Sequence, residues 1–552
     1  MKQEICFMNS KLKKSIAVML ASLLFLSAFA VTAFADTSAR TTVPTVYVIG
    51  QGTEIYNADN EVIAPVNEPE GYLSDALSAC MGLFLKSIVS GDEADVAAYR
   101  ALLMEWVTPL YENVKLDKNG DPAPGDHVNS QYYKTNYNYN YGGYLITEYR
   151  FVYDWRLDPM YNADLLNDFI ENLKRTTGVS KVNLVGRCEG STTTMAYLAK
   201  YGHNSVKKLF FLMPAYNGLS LVSQMYSGHL KFDAYAISKW LDAPDASQFD
   251  IPESELIEFL TAVVDMSAAM YGLDTTNAVI MPIYEKVVKD ALPEILLASY
   301  ATMPGMWAMV SDRDYEDAMK FIFSGRETEY AGLIEKIRNY RANVKTKTEE
   351  ILNACLADGI EIGDITKYGY PAGPVFEESM MLSDGGSPVY DVSFGATTAN
   401  VNETLSDKYI NQRVAEGKGK CISPDKLIDA STCLFPDTTW FIGNLSHPYT
   451  PDWADDHMAR FFQTDGMTVD TFEDAPQFLL YIGDEFDDDT TPDQVVPLTV
   501  ENADDTLAFD TDTDFGSGFS VFYAKVIAFL GKIVNWVKAF IDGIINHANG
   551  RA

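Results

Sequence analysis

The sequence has little positive charge for its size. Its 552 residues include 42 Lys and Arg against 77 Asp and Glu, so the formal net charge is −35. Nucleic acids and anionic lipid surfaces are themselves negative and repel such a chain at long range. The charge balance therefore disfavours a nucleic-acid-binding protein. It indicates an acidic protein whose net charge favours solubility.

Cysteine is scarce as well, with six residues in the chain. Cys6 lies near the N-terminus, and the other five are Cys80, Cys188, Cys355, Cys421 and Cys433. Because five is odd, at least one of these thiols stays unpaired in an oxidising compartment, and Cys188 is our candidate. Cys421 and Cys433 are near enough in sequence to close a short loop, whereas a bridge from Cys80 to Cys355 needs long-range proximity. A fully reduced set fits the sequence equally well.

The N-terminal residues have the pattern of a secretory signal. Three lysines between residues 11 and 14 precede an apolar stretch from Ile16 to Val31, and Ala33-Phe34-Ala35 then supplies the small residues of a cleavage site. We expect residues 1–35 to be removed before Asp36 and the mature chain to be exported. A retained membrane anchor is the alternative, which the polar residues that follow Asp36 disfavour.

From Thr45 onwards, apolar β-branched segments alternate with amphipathic ones. This alternation predicts an α/β fold with a doubly wound, mostly parallel sheet over residues 36–484. The predicted core strands are Thr45 to Ile49, Tyr149 to Tyr153, Lys181 to Val185, Val206 to Met213, Ile360 to Tyr368 and Thr438 to Ile442. The segment from Ala163 to Thr176 predicts a helix, and the Tyr/Asn-rich segment from Tyr132 to Tyr144 predicts an ordered loop.

Three segments depart from this alternation. Residues 215–357 are helix-rich, and we interpret them as an inserted helical cap over a site, with a packing subdomain as the alternative. Residues 485–518 are strongly acidic and predict a solvated linker. Residues 519–546 predict an amphipathic C-terminal helix that docks on its own domain, self-associates or lies at a membrane surface.

The most informative motif places a thiol between two glycines. It is Gly186-Arg187-Cys188-Glu189-Gly190, which follows the apolar run from Val182 to Val185 and precedes a helix-like stretch. A sharp strand-to-helix turn exposes its central side chain and needs glycine two residues before and after it, because a larger residue clashes with the backbone. We therefore predict that Cys188 is a nucleophile at a helix N-terminus, where the dipole and free N–H groups favour a thiolate. A buried, unreactive cysteine is the alternative.

A thiol nucleophile needs a base, an acid that orients the base, and donors for the developing oxyanion. Of the six histidines, His447 has the required position, in a loop after the last predicted core strand. Asp384 is the candidate acid, with an ordinary turn aspartate before glycine as the alternative. The backbone N–H groups of Gln51 and Glu189 are candidates for the oxyanion hole.

A longer segment resembles a known family. Tyr153-Asp154-Trp155-Arg156-Leu157-Asp158-Pro159 resembles the Y-D-W-R-L-x-P segment of the lecithin:cholesterol acyltransferase-like lipases of the α/β-hydrolase superfamily. Met303-Pro304-Gly305-Met306-Trp307 is similar to the proline-aromatic stretch of that family's cap, and Ser383-Asp384-Gly385 to its D-G-x-V acid turn. The resemblance spans Thr45 to about Phe462 and implies an α/β-hydrolase with a helical cap. On matching positions it implies Cys188 as nucleophile, Asp384 as acid and His447 as base.

Three residues depart from the family's pattern. Cys188 stands where the family has serine, and it resembles the thiol of dienelactone hydrolases. Glu189 puts a carboxylate next to the nucleophile, from which we expect a raised thiol pKa. Ser387 stands where the acid turn has valine.

These observations predict a secreted enzyme that acts on carboxylic esters or thioesters, including lipid esters, through an acyl-enzyme intermediate at Cys188. It is expected to be a lipase-like hydrolase or an acyltransferase, and this chemistry needs no metal or organic cofactor. The first alternative is a catalytically weak or inactive lipid-binding protein on the same scaffold, because a thiol in an aligned triad often weakens ester hydrolysis. The second is an interaction protein that localises or assembles through its C-terminal helix.

Overall fold

The computed structural model describes most of the chain between residues 43 and 506. The described residues are 43–50, 53–64, 66, 72–90, 92–129, 136–141, 143–233, 278, 281–372, 377, 380–447, 449–483 and 494–506. The predicted leader (residues 1–35), Gln51 and the predicted C-terminal helix (residues 519–546) lie outside them. Within the described ranges, no helix is both long enough and apolar enough to cross a bilayer.

The centre of the fold is a nine-stranded sheet. Its strands are β1 (Thr45–Ile49), β2 (Asn136–Tyr141), β3 (Tyr144–Phe151), β4 (Val182–Arg187), β5 (Val206–Leu212), β6 (Glu361–Tyr368), β7 (Thr439–Gly443), β8 (Phe478–Ile482) and β9 (Gln494–Pro497). They lie side by side in the order β9-β8-β7-β6-β5-β4-β1-β3-β2. The strands from β8 to β3 in this order pair in parallel, and the edge strands β9 and β2 are antiparallel.

Helices cover the sheet and fill the connections. They are α1 (Tyr72–Ser90), α2 (Glu93–Tyr111), α3 (Pro159–Thr177), α4 (Gly190–Tyr201), α5 (Ser220–Ser227), α6 (Met281–Ala298), α7 (Pro304–Trp307), α8 (Tyr315–Phe323), α9 (Ala331–Asn343), α10 (Thr348–Ala357), α11 (Val389–Val392), α12 (Asp407–Ala415) and α13 (Asp452–Gln463). Seven short strands form three small antiparallel sheets: Ile55–Tyr56, Val62–Ala64 and His127–Val128; Tyr370–Pro371 and Leu382–Ser383; and Thr397–Thr398 and Ile428–Asp429.

The two faces of the sheet are covered by different helices. In β5, successive side chains point to opposite faces, and Phe210 contacts the ring of Phe461 in α13. Its neighbour Phe211 lies on the other face, next to Gly186 and α4. A Cβ on Gly186 would lie 3.2 Å from Cδ1 of Phe211 and 3.1 Å from Oγ1 of Thr194 in α4. Because both faces are covered, the central strands are buried along most of their length, including polar residues such as Lys208 and Asp364. The predicted fold class, an α/β fold with a doubly wound and mostly parallel sheet, is confirmed.

Both edges of the sheet differ from the prediction. The Tyr/Asn-rich segment is predicted as a loop, but Asn136–Tyr141 forms β2 and pairs with β3. Asparagine and tyrosine alternate there with period two, but asparagine is rare in strands and gives the segment a low strand propensity. At the other edge, β8 and β9 extend the sheet beyond the last predicted core strand. The sheet therefore ends within residues 485–518, the segment predicted as an acidic linker.

The segment predicted as a cap, residues 215–357, contains α5 to α10 in its described part. Residues 234–277 and 279–280 of this segment lie outside the described residues. The last of these helices, α10, packs against α4 and β6. It therefore belongs to the helical layer that covers the sheet.

The five cysteines within the described residues are free thiols. Neither the Cys421–Cys433 pair nor the Cys80–Cys355 pair is bonded. Cys80, Cys355 and Cys433 are buried, whereas Cys188 and Cys421 are partly exposed. The reduced set is therefore the one that this structure contains.

Candidate active site

The residue Cys188 lies on a strained turn between β4 and α4. Its φ of 46° places a non-glycine residue in the left-handed region, a conformation that costs about 1 to 3 kcal/mol and that surrounding contacts must hold. Those contacts include hydrogen bonds from the Cys188 N–H to the Leu212 carbonyl at 2.9 Å and from the Ala215 N–H to the Cys188 carbonyl at 3.1 Å. The turn therefore presents the thiol at the carboxyl end of β4 and the N-terminus of α4.

The glycines of the motif are required by close approach of the backbone. A Cβ atom on Gly190 would lie 2.2 Å from the Val48 carbonyl oxygen in β1, and one on Gly186 would lie 3.1 Å from Cα of Ser191. No real Cβ tolerates the first contact. The two glycines of the motif therefore have the predicted cause, because the elbow packs closely against the backbone of β1 at Gly190 and of α4 at Gly186.

Three predicted site residues meet at the carboxyl edge of the sheet. The Sγ atom of Cys188 lies 3.4 Å from Nε2 of His447, and Nδ1 of His447 lies 2.8 Å from Oδ2 of Asp384. Asp384 is fully buried, whereas the side chain of His447 is 28% exposed. The structure thus joins a thiol, an imidazole and a carboxylate in one hydrogen-bonded chain that opens to solvent.

The acid turn holds Asp384 in a fixed orientation. Its Oδ1 atom accepts hydrogen bonds from the backbone N–H groups of Gly386 at 3.1 Å and Ser387 at 2.6 Å, which leaves Oδ2 for the histidine. The Asp384 carbonyl also accepts the His447 backbone N–H at 2.8 Å. The acid therefore positions both the ring and the backbone of the base.

Ser387 is a neighbour of the base that the sequence did not identify. Its Oγ atom lies 3.2 Å from Nδ1 of His447, next to the contact with Asp384. The serine is buried and stands where the resembled family has valine. The sequence offered one indication of this contact, because Ser387 has a hydroxyl at a position where the resembled family has an apolar side chain.

Electrostatics favour a charged thiol and imidazole. Burial raises the pKa of the Cys188 thiol, but the charge and hydrogen bond of His447 and the backbone N–H of Glu189 outweigh it, so the thiol pKa lies below its usual value. For His447, burial lowers the pKa, but the charges of Asp384 and Cys188 raise it well above its usual value. Each group therefore stabilises the charged form of the other, which favours a thiolate–imidazolium pair.

The expectation that Glu189 raises the thiol pKa is wrong. The Glu189 side chain is completely buried, and this burial raises the pKa of its carboxyl to about 8, although Tyr153 donates a hydrogen bond to Oε2 at 3.0 Å. The carboxyl is therefore mostly protonated at neutral pH, so no second negative charge stands beside Cys188. The residue type at position 189 is evident from the sequence, but the burial that keeps its carboxyl protonated is not.

One of the two predicted oxyanion donors lies within the described residues. The backbone N–H of Glu189 lies close enough to the Cys188 sulfur to lower the pKa of the thiol. Gln51 lies outside the described residues. Its neighbour Gly50 lies close to the elbow, because a Cβ there would be 2.6 Å from the Gly190 nitrogen.

The segments that carry the family resemblance contact one another. Gly305 donates its N–H to the Arg156 carbonyl at 3.1 Å, and a Cβ on Gly305 would lie 1.9 Å from the Trp155 carbonyl. Arg156 is fully buried and pairs with Asp154 at 2.7 Å and Asp126 at 2.9 Å. This ion-pair cluster fixes the turn after β3, from which Tyr153 reaches Glu189.

The similarity of this chain to known proteins is low. No family model matches the chain, and no curated protein matches it. Among solved structures, the chain is similar to Kex1Δp, a prohormone-processing carboxypeptidase from Saccharomyces cerevisiae, with 13% identity and a TM-score of 0.17 over 39% of this chain and 51% of that one. The chain thus spans about half the length of that carboxypeptidase.

Proposed function

We propose that this protein hydrolyses carboxylic esters or thioesters through an acyl-thioester at Cys188. The observation that supports this most is the pair of contacts from Cys188 Sγ to His447 Nε2 at 3.4 Å and from His447 Nδ1 to Asp384 Oδ2 at 2.8 Å. A nucleophile, a base and a group that orients the base, in this order, are what covalent acyl transfer requires.

In the acylation step, the Cys188 thiolate attacks the carbonyl carbon and forms a carbon–sulfur bond. The carbonyl π electrons move onto oxygen, and the Glu189 backbone N–H stabilises the resulting oxyanion. When the tetrahedral intermediate collapses, the bond to the leaving group breaks and Nε2–H of His447 protonates the departing alcohol or thiol. The products are the leaving group, an acyl-thioester and a neutral imidazole.

In the deacylation step, the neutral His447 takes a proton from water as the water oxygen attacks the acyl carbon. Collapse of this second intermediate releases the carboxylic acid and the Cys188 thiolate, and His447 is again an imidazolium. Asp384 keeps the proton on Nδ1 so that Nε2 faces the reaction. An alcohol in place of the water makes the same enzyme an acyltransferase.

The substrate class and the location follow from the sequence. The resemblance to lecithin:cholesterol acyltransferase-like lipases favours lipid esters, and the N-terminal pattern favours export. A helical segment near the site is compatible with a long acyl chain. We therefore propose a secreted enzyme whose substrates include esters of fatty acids.

Turnover of p-nitrophenyl esters of increasing acyl length tests the proposal. We expect the native protein to release p-nitrophenolate, with an initial burst if deacylation is slow, and Cys188→Ala to release none. Cys421→Ser removes a partly exposed thiol outside the site and serves as the matched control, with unchanged rates expected. If Cys188→Ala is as active as the native protein, the proposed nucleophile is wrong.

The same experiment separates the enzyme from a binding protein. If no ester is turned over but a fatty acid binds in a saturable way, the protein is a lipid-binding protein on a hydrolase scaffold. Cys188→Ser adds information, because a hydroxyl at the elbow restores the nucleophile of the resembled family and is expected to retain measurable esterase activity.

A further inference from the structure

The loop that carries His447 is attached to the sheet by a buried lysine. Lys367, the penultimate residue of β6, is 1% exposed. Its Nζ atom lies 2.7 Å from each of three backbone carbonyl oxygens, those of Ser446, His447 and Tyr449. An ammonium group has three N–H donors, so one side chain satisfies three carbonyl groups of a single short loop.

These contacts restrain the loop where the candidate base is located. The loop runs from the end of β7 to the start of α13, and its described residues, 444–447 and 449–451, form no helix or strand that would fix residue 447. The His447 backbone is held on both sides, because its N–H donates to the Asp384 carbonyl at 2.8 Å and its carbonyl accepts from Lys367. Strand β6 supplies the lysine, and the acid turn follows it in the chain. One strand therefore sets the position of two partners of the base.

We propose that Lys367 is a positioning residue of the candidate triad, which holds the imidazole of His447 in reach of the Cys188 sulfur by binding the three carbonyl oxygens around it. This inference rests on the proposed function of Cys188 and His447. In this role Lys367 acts through the backbone of the loop that carries His447, and its charge also lowers the pKa of the Asp384 carboxyl.

The chain offers a matched control for this role. Lys208 in β5 is equally buried, and its Nζ atom lies 2.9 Å from the Phe461 carbonyl and 2.8 Å from the Thr464 carbonyl. These carbonyls belong to the C-terminal end of α13 and the residue after it, outside the His447 loop. Lys208 also pairs with Glu361 at 2.9 Å. Replacement of Lys208 by methionine therefore removes a buried cation, together with this ion pair, without loosening the candidate base.

The test measures the rate at which iodoacetamide alkylates Cys188 across a pH series, which needs no substrate. In Lys367→Met, we expect alkylation at neutral pH to slow by about tenfold for each unit by which the thiol pKa rises above the assay pH, because only the thiolate reacts. We also expect the pH at half-maximal rate to rise, since a displaced imidazolium no longer stabilises the thiolate. Lys208→Met is expected to unfold at a lower temperature but to keep the native rate and pH profile.

The outcomes distinguish this inference from the proposed function. If the native thiol reacts slowly with an ordinary pH profile, the proposed function fails. If the native thiol is activated and Lys367→Met keeps its rate and profile, Lys367 has only a structural role and the inference is wrong. Lys367→Gln, which retains a donor of nearly the same reach, is measured in the same way if Lys367→Met does not fold, and we expect an intermediate rate and profile.

Discussion

The hydroxyl of Tyr153 donates a hydrogen bond to Oε2 of Glu189 across 3.0 Å. Tyr153 lies in the segment that resembles the lipase family, and Glu189 is the residue after the candidate nucleophile. Both side chains are completely buried. Because burial favours the neutral carboxyl, this pair places an acid next to a thiolate without adding a second charge at neutral pH.

Stability is expected to fall with rising pH because of Glu189. The carboxyl has a pKa of about 8 in the folded protein and 4.5 as its ordinary value, so between these limits the folded state holds the extra proton. The free energy of unfolding therefore decreases as pH rises through this range, by up to about 4 kcal/mol from this group. Urea unfolding of native protein and Glu189→Gln at about pH 5 and about pH 8 measures the difference. A native protein and variant with parallel pH dependence would contradict it.

The thiolate–imidazolium pair predicts a broad pH optimum for Cys188 reactivity. The thiol pKa is lowered and the imidazole pKa is raised, so the ion pair persists from below the usual range of thiols to above the usual range of histidine. Turnover falls at acid pH when the thiolate is protonated and at alkaline pH when His447 loses its proton.

The matched test of this pH dependence is His447→Gln. Without the imidazolium, burial of the thiol is uncompensated and its pKa rises, so we expect alkylation at neutral pH to be nearly abolished. Alkylation rates of native protein and variant over the same pH series give the result. An unchanged acid limb in the variant would mean that His447 does not activate the thiol.

Ser387 is expected to contribute to the orientation of the base. Its Oγ atom lies 3.2 Å from Nδ1 of His447, and loss of one such contact costs about 1 kcal/mol, or roughly a fivefold decrease in kcat. Ser387→Ala tests this with an ester assay, and KM is expected to stay unchanged. Ser393→Ala removes a buried hydroxyl that donates to the Val389 carbonyl away from the base, and its kcat is expected to be native. Equal kcat in the two variants would remove Ser387 from the site.

His457 is expected to make the fold sensitive to acid. It is 1% exposed, its ring centroid lies 4.3 Å from that of Trp440 and 4.5 Å from that of Trp453, and neither ring nitrogen has a partner within the described residues. Burial lowers its pKa to about 3, so the unfolded chain takes up a proton near pH 6.5 and the folded one does not.

The free energy of unfolding therefore decreases as pH falls through this window, by about 1.4 kcal/mol per pH unit. His457→Phe keeps a ring between the two indoles and removes the titration. Thermal unfolding at about pH 7 and about pH 4 is expected to show a smaller loss of Tm in the variant. The same loss in both proteins would assign the acid sensitivity to other groups.

The core of the fold could be predicted because its signals are local. Around Cys188 the chain runs directly from a short apolar strand through a glycine-flanked turn into a helix. The glycine at position 190 is explained by the clash that a Cβ there would make with the Val48 carbonyl oxygen. The strand ends that carry Asp384 and His447 could be inferred from chain order. The edge strand Asn136–Tyr141 was not predicted, because asparagine has a low strand propensity that outweighed the alternation with tyrosine.

The surroundings of the site could not be predicted, because they are made by contacts between distant residues. Ser387 and Lys367 reach the His447 loop across 60 and 80 positions of sequence, and no spacing rule connects them. The charge state of Glu189 also depends on burial, which the neighbouring residues in the sequence do not reveal. The candidate residues at strand ends can therefore be identified from the sequence. The groups that orient them or set their pKa values can be identified only in the folded structure.

The mass of the intact protein during turnover tests the central proposal most directly. Native protein mixed with a p-nitrophenyl ester and quenched in acid is expected to gain the mass of one acyl group, located by peptide mapping on Cys188. The adduct is expected to be absent from Cys188→Ala and strongly reduced in His447→Gln. An acyl group on another residue, present to the same extent in Cys188→Ala, would contradict the account.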